Sequence, residues 1–263
     1  MAVPPSWLHV VLDVPPEVYD AQLAFWSAAL GWQPGAPWPG HPELRSLEPD
    51  AGERHGQSHV QPYVHVQEIE GPPRVHLDVE VPDPVATLAR AAALGAEVVS
   101  EHDRWTTLAS PGGLPFCVLR SAGPEEGRVV PGPVKWTGGH RGRLVQVCVD
   151  APAAAFDSEV AFWRDLLPGR WVDSPSPEFA GKWHDGRSPL QLLFQRLDEP
   201  DGAVRAHLDH GTDDLDAEVG RLLALGAEDV GRGRGWHTMR DPAGLAFCAT
   251  ENSPSATGVR DLG

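Results

Sequence analysis

Two periods of apolar and polar positions alternate along this chain. Leu8–Val14 is a short apolar run with a strand-like pattern, ended by Pro15-Pro16. Val18, Leu23, Phe25, Trp26, Ala29 and Leu30 then recur at helical spacing, with Gly31 just beyond them as a stop. A Pro/Gly-rich stretch follows, and residues 59–69 read as one strand. The plan then repeats. Val75–Val81 reads as a strand, and Asp83-Pro84 opens a helix as N-cap and first-turn proline. Val85, Leu88, Ala92 and Leu94 are expected on its buried face, and Gly95 stops it. Trp105–Leu108 and Leu114–Leu119 read as strands around a turn at Ser110-Pro111-Gly112-Gly113. The order strand, helix, then two or three strands thus occurs twice before residue 121.

It occurs twice more after that, because the chain is duplicated. His76-Leu77-Asp78 falls on His207-Leu208-Asp209 at an offset of 131 (207 − 76). At the same offset, residues 93–97 (ALGAE) fall on 224–228 (ALGAE), Trp105 on Trp236, Pro111 on Pro242, and Phe116-Cys117 on Phe247-Cys248. Upstream the match is looser, at an offset of 137 (163 − 26), where Asp13, Ala24, Phe25 and Trp26 recur as Asp150, Ala161, Phe162 and Trp163. The expected organisation is α+β: four βαβββ units in two domains, 7–121 and 143–251. Between them, 122–142 is rich in Gly and Pro and reads as a linker. The polar tail after Asn252 is expected to fray.

Composition narrows the classes of function. The 263 residues carry a net charge of −16, which disfavours a nucleic-acid partner and docking on anionic lipid. No apolar run approaches the roughly 20 residues that span a bilayer, and no secretory signal is visible at the start. Cys117, Cys148 and Cys248 are too few and too widely spaced for a disulfide framework or a CxxC knuckle. A cytoplasmic protein without nucleic-acid or membrane partners is the expectation.

The units resemble those of the vicinal oxygen chelate superfamily, which includes glyoxalase I, extradiol dioxygenases and bleomycin-resistance proteins. The resemblance rests on residues 9–14 (HVVLDV), Ala24-Phe25-Trp26 with Leu30-Gly31, His76-Leu77-Asp78 and the Pro111–Cys117 ending. In the second half it rests on residues 241–248 (DPAGLAFC), and Phe194-Gln195-Arg196 before His207-Leu208-Asp209 is similar to the glyoxalase-like actinobacterial branch. The resemblance implies that units pair into two cup-shaped mixed sheets, each around a cleft that takes a small molecule. It also implies a monomer built like a fused dimer, or a homodimer. In metal-using members the ligands come from first and last strands. That places His9 and His76 in the first half, and Gln146 and His207 in the second. The last-strand position, usually Glu, falls on Cys117 and Cys248. The expected metal set is therefore His9, His76 and Cys117, for a divalent zinc, nickel, iron or manganese ion. The alternative is no metal, with each Cys a small buried hydrophobe.

Other candidates line the expected clefts. His59, Gln61, Tyr63, His65 and Gln67 alternate with Val60, Pro62, Val64 and Val66, so a continuous strand would gather five polar side chains on one face. The plainer reading is a wet outer face. Gln195 is the nearest counterpart of Gln67 in the second half. Trp105 and Trp236 start strands at repeated positions, where they wall a ligand pocket or pack in the core. Trp26 and Trp163 belong to the core. No GxSxG elbow, HExxH, P-loop or dinucleotide fingerprint is present. Two functions follow: a metal-dependent enzyme of glyoxalase or lyase type, or a metal-free protein that binds and sequesters a small molecule. An extradiol-type dioxygenase is a third, disfavoured by the missing last-strand carboxylate.

Overall fold

The computed structural model describes residues 7–49, 59–121 and 128–255, with the His59 side chain outside the description. The first half contains β1 (Trp7–Val14), α1 (Pro16–Leu30), β2 (Gln33–Trp38), β3 (His41–Glu48), β4 (His59–Val60) and β5 (Val64–Glu68). It continues with β6 (Arg74–Val81), α2 (Pro84–Ala93), β7 (Glu97–Glu101), β8 (Trp105–Ala109) and β9 (Pro115–Arg120). Two short strands follow, β10 (Arg128–Val129) and β11 (Val134–Lys135). The second half contains β12 (Arg141–Ala151), α3 (Phe156–Leu166), β13 (Arg170–Val172), β14 (Phe179–His184) and β15 (Gln191–Arg196). It ends with β16 (Arg205–Thr212), α4 (Leu215–Ala224), β17 (Glu228–Arg232), β18 (Trp236–Arg240) and β19 (Ala246–Thr250).

Apart from β4 and β10, which pair with each other, and β11, which pairs with β12, these strands form two open mixed sheets whose orders match: β2-β3-β5-β1-β6-β9-β8-β7 and β13-β14-β15-β12-β16-β19-β18-β17. The class is α+β, with tandem βαβββ units. The sheets are mixed because the first and last strands of a unit run parallel, as β6 with β9 and β16 with β19, while the hairpins β8–β9 and β18–β19 are antiparallel. Among the described residues, no helix is long and apolar enough to cross a membrane.

Local chemistry explains the helix limits. Gly31 adopts φ 68 and its N–H caps the Ser27 carbonyl, a left-handed conformation that other L-residues enter at a cost. Asp83 and its repeat Asp214 cap α2 and α4, each carboxylate accepting a backbone N–H three residues on. The buried face of α2 departs from the expected one. Val85 is 71% exposed, and Ala91, fully buried, faces inward instead. A small side chain at that point lets the helix close on its sheet.

Two other departures have a common cause in proline. The stretch after Gly31 holds the β2–β3 hairpin, whose register slips at Pro34 and Pro37, so no clean alternation announces it. The expected strand over 59–69 is broken. β4 pairs with β10 in a separate two-stranded sheet, and β5 begins only at Val64. Pro62 cannot donate to a ladder, and the break at 61–63 contains it.

Packing divides the described chain into two compact bodies. One lies within Val75–Glu125 and Val147–Ala206, together with the start of β1. The other lies within Val11–Arg74, Glu126–Gln146 and His207–Gly263. In the first, Phe162 and Trp163 of α3 pack on Phe116, with ring centroids 5.8 and 5.1 Å away. In the second, Phe25 and Trp26 of α1 pack on Phe247 at 5.7 and 5.2 Å. Trp26 and Trp163 are 1% and 0% exposed, as expected.

The second body also buries a charged cluster. Glu218 accepts from Arg221 Nε (3.0 Å) and Nη2 (2.6 Å), and lies 2.7 Å from His140 Nε2 and 3.2 Å from His210 Nε2. Arg221 also donates to the Ala28 and Ala29 carbonyls at the end of α1 and stacks 3.6 Å from the Trp136 ring centroid. Burial pushes His210 down to about 4; Glu218 opposes that shift, while Arg221, Arg143 and His140 add to it. The folded state therefore keeps this imidazole neutral, whereas the unfolded chain protonates it below about 6.5. Stability is complete above that value and falls as pH drops toward 4, by about 3 kcal/mol for this group alone. His210→Val, which installs the residue found at the repeat position Val79, is expected to flatten the decline. Urea unfolding near pH 7 and pH 4.5 measures it, and an equal decline in both proteins would contradict the assignment.

Candidate functional site

The polar chemistry of the first half is organised by β6. Leu77, Val79 and Val81 point to the core, so period 2 sends His76, Asp78 and Glu80 to the opposite face, where all three are still buried. Asp78 stands in register with Cys117 on β9, and Cys117 with Thr107 on β8. Ligand atoms of His76, Asp78 and Cys117 lie within 4.8 Å of one another. His76 Nε2 is 3.3 Å from Asp78 Oδ1, and Thr107 Oγ1 is 3.4 Å from Cys117 Sγ. On the neighbouring strand, His9 Nε2 lies 3.3 Å from Glu80 Oε2, so His9 and His76 project from the same face. Burial raises the Cys117 thiol, the Asp78 charge raises it further, and His76 and Thr107 oppose both.

The duplication builds a second version from β16, β19 and β18. His207, Asp209 and Cys248 again lie within 4.8 Å of one another, with His207 Nε2 3.4 Å from Asp209 Oδ1. Asp209 is in register with Cys248, and Thr238 Oγ1 is 3.5 Å from Cys248 Sγ. Two replacements make this copy poorer. Gln146 stands where His9 would be, and its side-chain amide donates to Asp209 Oδ2. Gly211 stands where Glu80 would be (211 − 131), and a Cβ there would lie 2.7 Å from the Asn252 carbonyl oxygen.

Sequence reasoning missed the carboxylates. No last-strand Glu exists, but Asp78 supplies an acid from the same strand as His76, and Glu80 a second. The signal was present in His76-x-Asp78-x-Glu80, three ligand-type residues at strand period. His9 pairs with Glu80 and is outside the His76–Asp78–Cys117 cluster.

The remaining candidates are dispersed. Tyr63 is fully buried, donates its hydroxyl to the Leu144 carbonyl at 2.7 Å and meets Trp32 edge-on, so it packs the core instead of walling a cleft. The cause is the break before β5, which takes Tyr63 out of the strand alternation. His65 is buried, its Nδ1 3.0 Å from Ser46 Oγ and its ring edge-on to Trp38. Gln67 is half-buried opposite Leu44. Gln195 is half-buried and donates to Glu178 at 2.6 Å, with its oxygen 3.8 Å from Cys148 Sγ. Trp105 is half-buried and stacked by His102 at 4.8 Å, while the repeat partner Trp236 is half-buried with its indole lying close against the Gly233 backbone.

Tandem βαβββ modules with metal-ligand side chains on neighbouring first and last strands define the vicinal oxygen chelate class. The glyoxalase-like domain family matches residues 9–119 and 146–250, and the chain belongs to that family. Solved structures agree on the fold. The Mn(II)-bound glyoxalase from Novosphingobium aromaticivorans is 17% identical with a TM-score of 0.63, covering 94% of this chain and 82% of that one. A mutant of 4-hydroxymandelate synthase from Streptomyces coelicolor is 16% identical with a TM-score of 0.59, covering 99% and 95%. The 2,2',3-trihydroxybiphenyl 1,2-dioxygenase from Sphingomonas wittichii strain RW1 is 15% identical with a TM-score of 0.58, covering 95% and 90%. At such identities the likeness concerns the fold alone. No curated protein sequence matches the chain.

Proposed function

We propose that this protein is a metal-dependent enzyme of glyoxalase or lyase type, acting on a small oxygenated molecule in the first half of the chain. The observation that carries the reading is the His76–Asp78–Cys117 cluster. Three ligand atoms within 4.8 Å of one another suit one ion held by bonds of about 2.0–2.3 Å, so the donor set fits a divalent metal. Imidazole, carboxylate and thiolate together favour zinc over the manganese of the Novosphingobium neighbour, because thiolate is a soft ligand. When bound, the ion would supply Lewis acidity toward a substrate oxygen. The chain's own groups do the rest. His9, held by Glu80, is a carboxylate-backed imidazole able to take or return a proton at a ring nitrogen. Burial of the polar face limits access of water to these groups. Cys117 must lose its proton on binding, so metal uptake releases a proton and strengthens as pH rises.

The two copies are expected to differ. Asp209 already accepts from Gln146, and Gly211 stands at the repeat position of Glu80. His9→Ala/His76→Ala is therefore expected to abolish metal content in protein purified without chelator, with the fold intact by circular dichroism. Gln146→Ala/His207→Ala is expected to leave most of it. Equal content in wild type and the first variant would reject the site. Absence of metal in every preparation and titration would favour the metal-free sequestration reading.

A further inference from the structure

Each compact body contains one joint where a helix of one half meets a turn of the other, and the two joints are chemical inversions of each other. In the first body, Glu159 of α3 meets the Ser110–Gly113 turn. Ser110 Oγ donates to Glu159 Oε2 (2.9 Å), the Gly112 N–H donates to the same oxygen (2.9 Å), and Trp163 Nε1 donates to Oε1 (2.7 Å). The Leu114 N–H donates back to Ser110 Oγ at 3.0 Å. In the second body, Gln22 of α1 meets the turn that starts at Asp241. Gln22 and Glu159 are repeat equivalents (159 − 22 = 137), and so are Ser110 and Asp241 (241 − 110 = 131). Here the amide is the donor: Gln22 Nε2 to Asp241 Oδ2 at 2.5 Å. The Ala243 N–H donates to Gln22 Oε1 (3.1 Å), the Leu245 N–H to Asp241 Oδ1 (2.9 Å), and Trp26 Nε1 to Asp241 Oδ2 (3.0 Å).

Every backbone donor and both indoles are thus retained, and each joint has one carboxylate. What changes is the side that carries it: the helix in one joint, the turn in the other. We infer that the joints form a pairing code that makes each half of the chain complementary to the other half and incompatible with a copy of itself. Two first halves set together in this way would place Gln22 against Ser110, leaving the buried indole without a carboxylate acceptor. Two second halves would place Glu159 against Asp241, two buried carboxylates at hydrogen-bonding distance, which cannot both be ionised. Only unlike halves give one acid per joint. All four residues are buried, so water does not relieve a mismatch.

The full-length chain tests this through a double-mutant cycle. Gln22→Glu recreates the like-with-like joint and is expected to lower the melting temperature by roughly 10 °C near neutral pH. Asp241→Ser removes the carboxylate and is expected to lower it by roughly 5 °C. The double variant Gln22→Glu/Asp241→Ser transposes the Glu159–Ser110 joint onto the other body, and is expected to melt within about 3 °C of wild type. The Gln22→Glu deficit is also expected to shrink at about pH 5, where two carboxylates can share a proton; a purely steric fault would not respond. If Gln22→Glu does not fold, recovery in the double variant still reads the code. A double variant no better than the sum of its parts, or a Gln22→Glu protein as stable as wild type, would overturn the inference. The reciprocal pair Ser110→Asp and Glu159→Gln provides an independent second cycle.

Discussion

Trp163→Ala is expected to cost about 3–5 kcal/mol, the range for truncating a large aromatic in a packed core. The side chain is fully buried and meets Phe116 and Phe162 edge-on at 5.1 and 5.2 Å, so truncation opens a cavity beside these two rings. It also removes one of the donors that hold Glu159. Burial raises the Glu159 carboxyl above its ordinary value, and the three donors counteract that. The sign follows. With a raised folded-state value, the fold binds more protons than the unfolded chain, so this group's contribution falls as pH rises past the ordinary carboxylate range. Trp163→Phe keeps most of the ring packing and loses the N–H, so its cost is expected to be smaller, about 1–3 kcal/mol, and larger at neutral than at acid pH. Urea unfolding of both variants checks this. A loss under about 1 kcal/mol for the alanine variant would contradict the core role.

The two tryptophans illustrate what a sequence of this kind discloses. Their recurrence at an offset of 137, on helical spacing, announced both the duplication and their burial. Asp83 before a proline and Gly31 after an apolar stripe announced helix ends, because capping is a local event. The failures lie where the deciding contact is not local. Nothing near Gln22 indicates that it meets Asp241, 219 residues away, and nothing near Glu159 indicates that it meets Ser110, 49 residues away. Prolines disguised the β2–β3 hairpin and divided the strand containing His59 and Tyr63, and the break turned Tyr63 into the core. At the candidate site His76 and Cys117 were legible from the resemblance. Asp78 and Glu80 are not legible in that way, because the family usually carries its acid on the last strand.

The proposed centre depends most on Cys117 acting as a thiolate ligand beside His76 and Asp78. Cys117→Ser keeps the size of the side chain and removes the soft ligand. It is expected to weaken zinc binding by on the order of 100-fold or more, a larger loss than removal of an outer partner such as Glu80 causes. Thr107, which touches the sulfur, remains to satisfy the serine hydroxyl, so the fold is expected to survive. The most direct measurement replaces zinc with cobalt(II), whose bond to a thiolate gives an intense near-ultraviolet charge-transfer absorption. Wild type titrated with cobalt(II) is expected to show that absorption at one equivalent. Gln146→Ala/His207→Ala is expected to retain it, and Cys117→Ser to lose it. An absorption that persists in Cys117→Ser, or one absent from wild type at saturating cobalt(II), would contradict the proposed centre.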